Sequence, residues 1–144
     1  MPLANYTTKV PVKRSVQLIQ EMLSKAGVKA LLFEYENGEQ SALTFRIDRG
    51  DKQLGFRLPC DWRKTLLILS RTQGVSKNLK SNDHAKRVAW RCVHDWLRAQ
   101  LALVEIGAVD VEQVMLPYAI TASGETLYEK LRGNGFLQLT NSHE

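Results

Sequence analysis

The stretch Gln40-Ser41-Ala42-Leu43-Thr44-Phe45-Arg46-Ile47-Asp48 alternates apolar and polar side chains, and Gln53-Leu54-Gly55-Phe56-Arg57-Leu58 does so again after the turn residues Arg49-Gly50-Asp51. Successive side chains of a strand point to opposite faces. Leu43, Phe45 and Ile47 then share one face with Leu54, Phe56 and Leu58, while Ala42, Thr44, Arg46, Gln53, Gly55 and Arg57 share the other. Upstream, Val28 to Tyr35 is a short apolar and aromatic run, joined to this stretch by Glu36-Asn37-Gly38-Glu39. An Asn-Gly pair accepts the positive φ angles of a tight hairpin. Pro59 lacks the N–H a ladder needs and closes the third strand. The expected product is a three-stranded antiparallel β-meander with one apolar face that helices must cover.

Helical spacing supplies the cover. Val12, Val16, Ile19, Met22, Leu23 and Ala26 recur every three to four residues before Gly27, predicting a helix over 13–26. Asp61 is placed to cap a helix from Trp62 to about Arg71, with Trp62, Leu66 and Leu69 inward. Residues 72–82 are polar, basic and aperiodic, which predicts a mobile loop. Asp83 or Asn82 then caps a long helix to Ile106, stopped by Gly107. Its apolar arc is broad enough for burial on two sides. It is the central helix of the domain, or it also packs on a second copy, and a homodimer through it is expected. Asp110 with Gln113 reads as a capping box for a short helix ended before Pro117. A last helix is expected from Glu125 to Arg132, with Leu127, Tyr128 and Leu131 inward. The fold class is α+β, in the order αβββααα with short accessory helices. The chain is read as one domain over 1–144, with an extended lead-in at 1–11 and a flexible tail at 136–144.

The 144 residues, 44% hydrophobic and 24% charged, suit one globular domain with a sizeable core. No apolar run approaches the ~18 residues of a membrane span. Residues 1–6 have no charged segment followed by an apolar one, so no signal peptide is expected. Cys60 and Cys92 are read as reduced thiols, which points to the cytosol.

Chemistry-bearing constellations are missing. Cys92 and His94 lie two apart on one helix and point in different directions. Cys60, between Pro59 and Asp61, is the one thiol whose reactivity merits a test. No Cys-x-x-Cys, His-x-x-x-His or His-Glu-x-x-His spacing occurs, and Gly133-Asn134-Gly135 lacks the context of a phosphate loop. Glu34, Glu36 and Glu39 flank a hairpin, where carboxylates are usually only solvated. No catalytic residues, metal or cofactor are expected.

Charge is the remaining signal. The net charge of +5 is spread as +1 over 1–48, +8 over 49–91 and −4 over 92–144. A basic block on an otherwise neutral chain suggests attraction to phosphates or to an acidic partner. Its candidates for phosphate contact are Arg57, Arg63, Lys64, Lys80, Lys86, Arg87 and Arg91, with Trp90 to stack on a base. Arg87 and Arg91, four apart, share a helix face. A plainer reading stands beside this one. Arg91 pairs with Asp95, Trp90 and Trp96 pack in the core, and Lys77, Lys80 and Lys86 form a solvated rim.

Phe56-Arg57-Leu58-Pro59, Arg87-Val88-Ala89-Trp90-Arg91, Asp95-Trp96, Ala99-Gln100, Leu116-Pro117-Tyr118 and Thr126-Leu127-Tyr128-Glu129 resemble segments of a family of small bacteriophage and mobile-element proteins. The likeness runs over most of the chain from Tyr6 onward. The family brings no activity with it; it implies a setting in the host cytosol. A protein of this type handles nucleic acid or counters host defence, for instance by sequestering a nucleotide signal in a basic pocket. Arg57, Trp90, Arg91, Asp95 and Gln100 fall in the matching segments, with Asp95 and Gln100 as supporting polar groups. The expected function is non-enzymatic binding of a nucleic acid or nucleotide phosphate. The alternative is a protein-interaction module that inhibits or adapts a host protein.

Overall fold

The structure, a computed structural model, describes residues 2–135; the expected tail at 136–144 lies outside them. The elements run α1 (Val12–Lys25), β1 (Ala30–Glu36), β2 (Glu39–Arg49), β3 (Lys52–Pro59), α2 (Trp62–Arg71), α3 (Asn82–Glu105), α4 (Val111–Met115) and α5 (Leu127–Gly133). Single 3-10 turns occupy Lys77–Leu79 and Leu116–Tyr118. The fold is α+β, with the helices in the expected order.

The strands form one antiparallel sheet ordered β1-β2-β3. At the first hairpin Asn37 and Gly38 take positive φ angles of 54° and 79°. That is the primed turn whose twist matches the strands it joins. Across the second hairpin Leu43 faces Leu58, Phe45 faces Phe56 and Ile47 faces Leu54. The Phe45 and Phe56 rings stack with centroids 5.3 Å apart. Leu43, Phe45, Ile47, Phe56 and Leu58 are buried, each contributing roughly 1.5–3 kcal/mol of transfer free energy. A one-residue slip would turn this whole set to water, so the register is strongly specified.

α3 lies against the apolar face of the sheet. Its Trp90 ring meets the edge of Phe33 at 6.1 Å. α1 and α2 both pack on α3. His84, Ala85, Val88, Ala89, Trp90, His94 and Leu97 are all buried along it. The broad apolar arc of α3 is therefore covered within one chain, by the sheet and two helices. A single core cluster draws on α1, β2, β3, α2, α3 and α4.

Four local expectations change. The cap of α3 is Ser81, not Asp83 or Asn82: its hydroxyl accepts from the His84 N–H at 3.1 Å, which leaves Asp83 inside the first turn, where a carboxylate favours the helix dipole. α5 begins at Leu127 rather than Glu125, because Thr126 and Glu129 form a reciprocal capping box at 3.2 and 2.9 Å. Tyr128, expected inward, is exposed. The loop at 72–81 is tied down by Val75, which is buried, and by Leu79, which packs on the core. Just before α5 the chain crosses the edge of β3, where the Ile120 N–H donates to the Gly55 carbonyl at 2.9 Å. A Cβ at Gly55 would meet Ile120 Cδ1 at 3.4 Å, close to ordinary van der Waals contact.

Candidate anion-binding surface

A helix returns to the same face every three or four residues. One face of α3 carries Arg87, Arg91, Asp95, Arg98, Ala102 and Glu105, the first two half-buried and the rest exposed. Three arginines thus share one stripe. Between this stripe and α1 runs a groove of about 750 Å³. Arg91 and Arg98 line it from α3, and Lys25 lines it from α1. Leu18, Met22 and Leu101 supply aliphatic lining, and Glu21 and Glu105 contribute two carboxylates.

Asp95 organises the near end of the stripe. Its Oδ1 accepts from His94 Nδ1 at 2.8 Å and lies 3.6 Å from Arg91 Nε. Its Oδ2 accepts from the side-chain amide of Asn5 at 2.9 Å. Burial would push the Asp95 carboxyl up, but the hydrogen bonds from His94 and Asn5 and the Arg91 charge outweigh it and hold it below its usual range. Arg87 is held in a parallel way. Its Nη2 donates to His84 Nδ1 at 3.2 Å, and His84 Nε2 donates to the Tyr6 carbonyl. The lead-in therefore braces both arginines, each through one residue of α3.

A second cationic cluster surrounds Trp62 at the start of α2. The Arg63 guanidinium sits 5.0 Å and the Lys86 ammonium 4.9 Å from its ring centroid. Asp61 caps α2 by accepting from the Arg63 N–H at 3.1 Å, and Asp83 lies 3.8 Å from the Lys86 ammonium. Lys64 is exposed beside Arg63, and Lys80 is half-buried just before α3.

Three of the expected site residues do not belong to these clusters. Arg57 projects from the sheet face away from α3, bonded to Glu34 at 3.1 Å and to the Gly124 carbonyl at 3.0 Å. It links β3 to the turn before α5. Trp90 is only 1% exposed, so no base can stack on it; it is the centre of the sheet–helix interface. Gln100 is half-buried and does not line the groove. Conversely, sequence reasoning missed Arg98, His94 and Lys25. Arg98 was open to discovery, since it follows Arg91 by seven residues and shares its face. Lys25 carried no local signal, because only the packing of α1 on α3 brings it across.

Cys92 touches this network, since the Asn5 amide also lies 3.8 Å from its sulfur, whereas Cys60 sits apart from it. Burial pushes Cys60 up to about 12, and such a thiol is a poor nucleophile at neutral pH. Among the described residues no group of three or more His, Cys, Asp or Glu is placed to hold a metal ion. No helix among them is long and apolar enough to cross a membrane. Comparisons with protein-family models, curated proteins and solved structures return no match to this chain.

Proposed function

We propose that this protein binds the phosphate groups of a nucleic acid or nucleotide, without turning the ligand over, through the α1–α3 groove. One observation carries the reading: Arg87, Arg91 and Arg98 share a stripe of α3, and Lys25 faces the last two across the groove. Guanidinium forks match phosphate oxygens in pairs. A groove of this size is within the range of small-ligand sites. The likeness to bacteriophage and mobile-element proteins supplies a setting, in which capture of a host nucleotide signal would blunt a defence.

The test is a titration of duplex DNA, single strands, RNA and mono-, di- and cyclic nucleotides at two salt concentrations. Binding should weaken with salt; Arg98→Glu should abolish it while leaving the thermal melt in place, and Arg91→Glu should abolish it with a modest loss of stability from repulsion by Asp95. A ligand at ~100 times its Kd should add ~2.7 kcal/mol of stability. No binding of any of these ligands at low salt would end the reading.

A second reading rests on the aliphatic lining of the groove. Leu18, Met22 and Leu101 offer no ring for a base, and an acidic amphipathic helix of a host protein also fits such a surface. Met22→Gln, which removes apolar surface without adding charge, separates the two. It removes helix docking and leaves phosphate contacts in place. A second copy of the chain would have to use surface outside the covered arc of α3, such as Leu103 and Ile106, both exposed; light scattering at micromolar concentration tests for it.

A further inference from the structure

The two cationic clusters meet. Lys86 and Arg87 are consecutive on α3, yet Lys86 reaches the Trp62 ring on the α2 side while Arg87 reaches His84 on the side of the groove. Consecutive helical residues point about 100° apart, which is how one peptide bond joins two surfaces. Arg63 at the start of α2, Lys86, Arg87, Arg91, Arg98 and Lys25 then form one track, in which Asp83 accompanies Lys86 and Asp95 stands between Arg91 and Arg98. It wraps the first turns of α3 and descends into the groove. From residue 86 to residue 98 alone it covers about 18 Å of helix axis at ~1.5 Å per residue.

A mononucleotide can occupy only one part of such a track. A polymer can use all of it. The rings beside these cations, Trp62 and Trp90, are both buried, so neither supplies the stacking platform on which single-strand binders rely. We propose that the ligand is double-stranded nucleic acid, held by the phosphates of one strand along the track from Arg63 to Lys25, with no base stacking. This rests on the reading of the groove given above and extends it to the Trp62 cluster, which that reading does not need.

The experiment is a fluorescence-anisotropy titration of the full chain with a labelled DNA duplex of about 20 base pairs, its single strand, and ATP, across a salt series. With all six cations engaged, log K against log salt should fall with a slope near −5, at about −0.9 per neutralised phosphate. Arg63→Glu should weaken duplex binding about tenfold and flatten the slope by about one unit, while leaving ATP binding unchanged. Glutamate in the first turn of a helix suits its dipole, so this variant should fold; Arg63→Gln gives a milder check. Three results overturn the proposal: ATP binds and duplex does not; single strand binds more tightly than duplex; or Arg63→Glu leaves duplex affinity intact. In each of those the groove reading survives if Arg91→Glu still abolishes binding. If neither duplex nor nucleotide binds, both fall together.

Discussion

The side-chain amide of Asn5 donates to the carboxylate of Asp95 at 2.9 Å, across 90 positions of sequence. Asn5 takes a positive φ of 64° to do so, a conformation that asparagine tolerates better than most residues. The contact fixes the lead-in on α3 beside Arg91. Asp95 is also the nearest negative charge to that arginine. Asp95→Asn keeps an acceptor for Asn5 and removes the charge. An exposed pair of this kind is worth at most about 1 kcal/mol after solvent screening, which is about fivefold in affinity. Anion binding should therefore tighten by up to about fivefold, measured by titration at low salt, and the gain should vanish at high salt.

Trp90 should matter to folding and not to the ligand directly. It is almost wholly buried and meets Phe33 edge-on. Trp90→Ala is expected to cost about 3–5 kcal/mol through the cavity it leaves, read as a drop in the denaturant midpoint. Arg98→Glu, by contrast, should leave that midpoint nearly unchanged.

Ser15 offers the opposite sign. Its hydroxyl is buried on α1 with no partner among the described residues. An unsatisfied buried hydroxyl is a penalty, and Ser15→Ala should stabilise the protein by about 1 kcal/mol, seen as a higher melting temperature.

Acid should destabilise the fold. The Arg49 hydrogen bond holds Glu112 below its ordinary value, the Thr126 backbone does the same for Glu129, and Asp95 is lowered as described. A depressed carboxyl stabilises the folded state above the unfolded carboxyl range, near pH 4, and that contribution is lost as pH falls through the folded values. Melting temperature should hold from about pH 8 to 5 on account of these groups and decline below about pH 4. Glu112→Gln should make the acid decline shallower.

Cys60 should resist alkylation at neutral pH until the protein unfolds, because burial pushes its thiol up to about 12. Rapid modification of Cys60 in the native protein would contradict the buried placement.

The meander was legible because period-two alternation in Leu43–Ile47 and Leu54–Leu58 is a strictly local pattern, as is the Asn37-Gly38 turn. The Asp61 cap and the Asp110–Gln113 box were legible for the same reason. Ser81 was missed because Ser, Asn and Asp stand in a row there, and only backbone geometry chooses among them. The site was half legible. Arg87 and Arg91 announced a shared face by their spacing, but their distance from Lys25 depends on how α1 docks. Arg57 looked equally promising, and nothing in its own neighbourhood revealed that Glu34, on the far strand of the sheet, already held it.

The passage of Ala119 and Ile120 along β3 has a consequence for any shortened version of this protein. Strand margins are templates, and this one is occupied by the chain's own later residues. A fragment ending before Leu116 would keep the sheet and α1 to α4, yet lose α5 and bare the Gly55 carbonyl and the margin of β3 beside it. Such a fragment should recruit a strand from its neighbour and self-associate, even at concentrations where the full chain stays dispersed.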